Sequence, residues 1–352
     1  MTRKNLVYLF LASLIISIIA CKKTETATTE TQQDAALPPS IALVKTSTKS
    51  SSDKCVGPFA TSTKQTLKIG EIEYEINGYR MTQLTKDNDE STVIGVMSDI
   101  KEDTPQNLDN VKLVIEQFKQ NKVNVVLVAG DTAESVASIE NVLMPLAQLP
   151  VPVLVIIGNR EKVPHFNTAL ANINKKYPNI ISMNFVRYFD GDDVDVFSLP
   201  GYHDPNFIHS REGCQYFQSD VDELSKHIPM ANSPVVLLTH GPALQKGNTA
   251  IDRMAEGVNV GDPMLTKLIA DTKIPFGISG NIHEAGGIGT DLSGTFIVKQ
   301  NTLSDQLFLN PGPTDSVRWQ MNDGTESIGM AAILTIEGKK AKYSIFRIKE
   351  KP

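Results

Sequence analysis

The chain has 352 residues, 34 Lys and Arg against 40 Asp and Glu, and a formal charge of −6. That balance becomes −8 once Arg3 and Lys4 leave with a leader, a mildly acidic surface that excludes a basic nucleic-acid footprint. A chain of this length can bury a large core, here as one domain over residues 65–352.

Residues 1–21 read as a targeting segment. Arg3 and Lys4 give a positive start, and Leu6 to Ala20 is an apolar stretch too short to span a bilayer comfortably. It stops sharply at Ile18, Ile19, Ala20 and Cys21. This resembles a bacterial lipoprotein signal, in which Cys21 takes the lipid and becomes the first mature residue. Ile18 stands where leucine is usual, and the alternative is an ordinary secretory signal with an incidental cysteine. The lipoprotein reading expects a membrane partner through the anchor, and a location in the bacterial cell envelope facing the periplasm or the exterior. Cys55 and Cys214 then lie in an oxidising compartment and either pair or stay as two thiols; pairing is the expectation carried forward. Residues 22–64 are rich in Ser, Thr, Gln and Lys, with too few large apolar groups to fold, and read as a flexible tether.

From Leu67 the pattern changes. Ile69, Ile72, Tyr74 and Ile76, with Asn77 and Gly78 as a turn signal, predict a strand or hairpin. Helical spacing of apolar residues predicts helices over 108–120, 135–149, 163–175, 221–228 and 263–270. Between them lie apolar runs at 93–97, 123–129, 151–157, 194–199, 235–238 and 276–278. Unbroken runs mean strands covered on both faces, and their alternation with helices means βαβ units around a parallel sheet. A long loop, 201–214, holds Tyr202, His203, Asp204, His209 and Arg211. After His283 strands are expected at 295–298, 306–309, 330–336 and 343–348. No internal repeat is visible.

The chemistry is concentrated at strand ends. The run 123–129 ends in Gly130 and Asp131, where a glycine lets the backbone turn sharply. Four other runs end in Asp99, Asn159, His240, and Asn281 with His283. A lone Asp or Asn there is usually a helix cap. Caps do not explain two histidines in the same place, and ligands of such sheets sit just beyond the strand ends. Two divalent cations a few ångströms apart need one bridging carboxylate, with imidazole and oxygen donors completing each shell. Asp131 is the bridging candidate; Asp99 and His283 complete one shell, Asn159 and His240 the other.

In order and spacing these blocks resemble the calcineurin-like metallophosphoesterases. The family pattern runs D-x-H, G-D-x-x-[DE], G-N-H-[DE], a histidine after a strand, and G-H-x-H. This chain has Asp99 to Lys101, Gly130 to Glu134, Gly158 to Glu161, Thr239 to Gly241, and Gly280 to His283, followed by Asn310, Pro311 and Gly312. The resemblance implies a four-layer α/β/β/α sandwich of two mixed sheets. It also implies one or two divalent cations (Mn, Mg, Fe or Zn), and hydrolysis of a phosphoester or phosphorylated small molecule. Three family histidines are replaced, by Lys101, Arg160 and Asn281. Asn281 can still offer an oxygen, and Arg160 can stabilise phosphoryl charge but cannot release a proton. Leaving-group protonation then falls to water, His203 or His209. The alternative is a non-catalytic lipoprotein in which Lys101 and Arg160 replace metal charge and bind an anion, or in which the same fold is an interaction scaffold. Glu284 to Gly287 reads either as glycines exposing backbone amides to a ligand or as a plain turn, and Asp252, Arg253 and Gly257 to Pro263 either as one wall of the pocket or as a surface excursion.

Overall fold

Residues 55–350 are described in this computed structural model. The leader, Cys21 and tether residues 22–54 lie outside them. From Gln65 the chain opens with β1 (Gln65–Ile69), β2 (Ile72–Asn77), β3 (Arg80–Gln83) and β4 (Ser91–Met97). Next come α1 (Pro105–Gln120), β5 (Val125–Val128), α2 (Val136–Leu143), β6 (Val153–Val155), α3 (Val163–Asn174) and β7 (Ile180–Ser182). The second half holds β8 (Tyr188–Asp190), β9 (Asp195–Leu199), α4 (Gln218–His227), β10 (Val235–Thr239), α5 (Pro263–Thr272) and β11 (Phe276–Ile278). It closes with β12 (Ile288–Thr290), β13 (Leu307–Asn310), β14 (Trp319–Gln320), β15 (Glu326–Ser327), β16 (Met330–Glu337) and β17 (Lys340–Arg347).

Two mixed sheets carry these strands. One has nine strands in the order β1-β2-β3-β8-β9-β10-β11-β13-β12, the other six in the order β17-β16-β4-β5-β6-β7. β4 through β7 pair in parallel, as do β9, β10, β11 and β13. The pleat explains the layering. Val125 and Leu127 join Ile94, Val96, Val236, Leu238 and Ile278 in a core made of strand and strand-flanking residues from both sheets. Val126 and Val128 point the other way, into a core shared with Phe118, Ile139 and Phe166 of the helices. Fully burying one such aliphatic side chain contributes about 1.5–3 kcal/mol, so the unbroken runs hold helix, sheet, sheet and helix together.

Local chemistry sets the helix ends. Thr104 caps α1 by accepting from the Asn107 amide, with Pro105 in the first turn. The helix expected over 135–149 stops at Leu143, because Pro145 cannot continue it; a short 3₁₀ turn follows. The strand expected at 295–298 is absent: Ile297 makes only an isolated bridge to Thr290, and the strand forms earlier, as β12. Composition also placed 55–64 in the tether, yet Cys55 and Val56 are buried and the Gly57 amide donates to the Asn184 carbonyl. A disulfide joins Cys55 to Cys214. No helix among the described residues is long and apolar enough to cross a membrane.

Candidate metal centre

Both sheets deliver their parallel strand ends to one edge. β4, β5 and β6 lead into Asp99, Asp131 and Asn159; β10 and β11 lead into His240 and into Asn281 with His283. β5 lies between β4 and β6, which centres Asp131. The turns are tight. Asp99, Asp131 and Asn281 take positive φ values of 53°, 53° and 65°, a region that Asp and Asn tolerate better than most residues. Lys101 does so too, at 67°, at a cost of about 1–2 kcal/mol. The backbone holds it there, since its amide donates to the Asp131 carbonyl at 2.9 Å.

Asp99, Asp131 and His240 offer ligand atoms that all lie within 4.8 Å of one another. All three residues are buried, as is Asn159. His240 Nδ1 is 2.8 Å from the Ala129 carbonyl, which can only accept, so the ring proton of a neutral His240 sits on Nδ1. Nε2 then presents a lone pair to Asp131 Oδ1 and to Asn159 Oδ1, each 3.3 Å away. The Asn159 amide nitrogen donates to the Phe207 carbonyl at 2.9 Å, which fixes its oxygen toward His240. Three acceptors facing one another need a proton or a cation between them. This donor set, one carboxylate oxygen, one amide oxygen and one imidazole nitrogen with Asp99 in reach, fits a divalent ion.

The electrostatics agree. Burial lowers the pKa of His240, but the charges of Asp131 and Asp99 outweigh it and hold the ring above its usual range. In the metal-free protein a proton can therefore take the cation's place, and a bound metal would displace it. Burial raises Asp99; its hydrogen bond to His283, with the charges of His283, His240 and Lys101, more than reverses this and holds it well below the carboxylate range. Ser98 Oγ donates to Asp99 Oδ2 at 2.6 Å, the Asn281 amide donates to the same oxygen at 3.0 Å, and His283 Nε2 lies 3.3 Å from Oδ1. Glu161 supports the other side. Its carboxylate accepts from the amides of Thr132 and Gly158 at 2.6 and 2.9 Å. Burial first, and Asp131 second, push it up to about 7.

The replaced positions behave differently from what the sequence suggests. Lys101 does not point free into the cleft: Nζ is 2.7 Å from Asp315 Oδ2 and 4.4 Å from the centre of the Trp319 ring. Arg160 donates its backbone amide to Asp131 Oδ1, while its guanidinium pairs with Glu134 at 2.6 Å. Asn281 accepts weakly from Asn159 Nδ2 at 3.4 Å. His203 rests its ring 4.8 Å from that of Tyr202 and 6.3 Å from that of Tyr216, beside the ligand cluster rather than in it. His209 meets the site only through its amide, which donates to the Asn159 carbonyl at 3.0 Å. The amides of Gly286 and Gly287 donate to His283 and Asn310 carbonyls, so that turn offers no amides to a ligand. Asp252 is likewise internal, bonded to the amides of Gln245 and Gly261.

Asp315 and Trp319 were not singled out in sequence. Their signal is thin: Trp319 is the chain's one tryptophan, close behind the Asn310 to Gly312 block. That block works structurally, with Asn310 Nδ2 donating to the Ile282 carbonyl and so bracing the loop that carries His283.

Close approach makes Gly158 indispensable. A Cβ there would lie 2.1 Å from Asp131 Oδ1 and 2.6 Å from the Asp131 amide. Gly158→Ala should displace Asp131 and weaken metal affinity by roughly 10–100-fold, measured by calorimetric titration of the metal-free protein. Affinity within twofold of wild type would mean that the Asp131 position is not critical.

The profile of the calcineurin-like phosphoesterase family matches residues 92–285. No curated protein sequence matches the chain. Among solved structures, one superposes with a TM-score of 0.51 at 13% identity, covering 74% of this chain and 100% of its own. TT1561 of Thermus thermophilus aligns at 11% identity over 72% of this chain and 98% of its own, with a TM-score of 0.46. A dimetal phosphatase from Danio rerio aligns at 11% identity over 73% and 99%, with a TM-score of 0.44. At these identities the likeness is one of fold.

Proposed function

The chain belongs to the calcineurin-like phosphoesterase family, and from that premise we propose that it is a divalent-metal-dependent phosphoester hydrolase. The observation that carries the proposal is the convergence of His240 Nε2, Asp131 Oδ1 and Asn159 Oδ1, which leaves no donor among them when His240 is neutral. When bound, a divalent ion supplies Lewis-acid charge for a phosphoryl oxygen and acidifies a water. The protein does the rest. Asp131 and Asp99 would hold the ion and balance its charge, Ala129 holds the His240 tautomer, and the 201–214 loop orients Asn159 by laying the Phe207 carbonyl on its amide nitrogen.

The chain's own departures shape the reaction. Arg160 stays charged and paired with Glu134, so it cannot serve as the leaving-group acid. His203 packs its ring on Tyr202, beside the ligand cluster, and no hydrogen bond ties its ring or that of His209 to a candidate metal ligand among the described residues. Esters whose leaving groups depart without a proton, such as aryl phosphoesters, are the first substrates to try. The anion-binding alternative is weakened at Lys101, whose ammonium is already paired with the buried Asp315, and rests on Arg160, which pairs with the half-exposed Glu134 and leaves Nε without a partner. We place the domain on a lipid anchor at Cys21, a reading that rests on the leader sequence alone.

The test is a metal titration of the mature chain. At 100 times the dissociation constant, Mn²⁺ should stabilise the fold by about 2.7 kcal/mol, seen as a rise in Tm of several degrees. No rise at millimolar Mn²⁺ ends the proposal. Turnover of aryl phosphate mono- and diesters then checks the chemistry.

A further inference from the structure

We infer that this centre takes a single divalent cation, because Lys101 and its partners occupy the place a second would need. The inference rests on the metal-dependent reading above and sharpens it.

The two halves of the site are built differently. On one side, Asp131, Asn159 and His240 converge with no lysine or arginine side chain among them, and a neutral His240 presents an acceptor there. Asp99 is within reach of this half, since its ligand atom lies within 4.8 Å of those of Asp131 and His240. On the other side, where Asp99 and His283 would share a second ion, the protein closes a ring of its own. Lys101 Nζ contacts Asp315 Oδ2 at 2.7 Å. Trp319 Nε1 donates to Asp315 Oδ1 at 2.9 Å, and the Trp319 ring lies 4.3 Å from the His283 ring. His283 Nε2 returns to Asp99 Oδ1 at 3.3 Å, and the Asp315 amide donates to the Asp99 carbonyl at 3.1 Å.

Lys101 is held in that ring from both ends. Its backbone is clamped to Asp131, and its ammonium is clamped between a carboxylate and an indole face. The residue is 9% exposed, so water does not screen it well. A second divalent ion would have to sit beside this fixed like charge. Asp315 also keeps Lys101 from acting as a free anion receptor, so its role is to replace a metal rather than to bind phosphate.

The experiment counts ions. The mature chain is stripped of metal, titrated with Mn²⁺ calorimetrically, and examined by electron paramagnetic resonance. The expected result is one Mn²⁺ per chain with an isolated six-line spectrum. Lys101→His should raise the count from one to two and give the broadened spectrum of exchange-coupled ions. Two coupled ions in the wild-type protein overturn the inference while leaving metal dependence intact. No bound ion in the wild-type protein overturns both. Should Lys101→His not fold, the wild-type count and spectrum decide alone; should it fold and still take one ion, Lys101 is not what excludes the second and the inference fails.

Discussion

Asp131→Asn should abolish the metal response and reduce phosphoesterase activity by on the order of 10³-fold or more, the scale expected when the charge that organises a Lewis-acid site is removed. Asp131 Oδ1 accepts from the amides of Asn159 and Arg160, each at 3.1 Å, and faces His240 Nε2 at 3.3 Å. An asparagine can turn its oxygen to the two amides, which preserves the loop but leaves a neutral ligand. If it turns its nitrogen there, two donors meet a third. In either pose His240 loses the charge that chiefly raises its pKa, so neither a proton nor a metal is drawn to Nε2 as strongly. Stability should move the other way. Asp131 and Glu161 repel in the metal-free protein, with Glu161 pushed up to about 7 by burial and by Asp131. Removing one of them should hold or raise the metal-free Tm, the usual relation between a charged site and the fold that carries it. The measurement is a pair of melting curves, with and without Mn²⁺, beside an aryl phosphoester assay. A variant that keeps wild-type turnover would show that the activity arises from another site or another protein.

The sheet edge was legible because burial and chemistry alternate so sharply along the chain. Runs such as 123–129 admit little but a strand covered on both faces, and each ends in a polar group that a fully buried strand could not carry inward. The residues that the structure gathers at that edge, Asp99, Asp131, Asn159 and His240, therefore announced themselves by position. Short strands were harder to see. β7 and β8 have three residues each, and a run of that length has no period to detect. The ring around Lys101 was out of reach for a different reason. Asp315 lies 214 residues beyond Lys101, and nothing in the local sequence at either place encodes the pairing. Lys101 alone reads as a free cation in the cleft; only the return of the chain after β13 supplies the carboxylate and indole that change its meaning. The start of the domain was misplaced for another reason: the pairing of Cys55 with its partner Cys214 was expected from the sequence and is present, but composition over 55–64 did not show that the bridge brings Cys55 and Val56 into the core.

That partner should matter more than any single contact outside the metal centre. Replacing Cys55 and Cys214 together by Ser removes a link between positions 159 residues apart. Loop-closure entropy for so long a loop puts the loss at about 3–5 kcal/mol, read as a fall in the urea midpoint of the metal-free protein. The effect should also reach the site. Cys214 ends the 201–214 loop, where its carbonyl accepts from the Tyr202 amide at 3.0 Å. Within that loop the Phe207 carbonyl orients the Asn159 amide, and the His209 amide donates to the Asn159 carbonyl. Once the anchor is cut, Asn159 can turn its nitrogen toward His240, so Mn²⁺ affinity should weaken by roughly tenfold, within the range for removing a ligand's supporting partner. Two contacts at the other end oppose this. Arg187, fully buried, donates from Nη1 to the Gly57 carbonyl at 2.9 Å, and the Gly57 amide donates to Asn184 at 2.7 Å. A loss of stability below about 1 kcal/mol would mean that these hydrogen bonds hold the N-terminal segment without the disulfide, since net contributions of that size are typical of one or two of them. A large loss of stability with unchanged Mn²⁺ affinity would separate the two roles, leaving the bridge as a clamp on the fold and Asn159 positioned by its own loop.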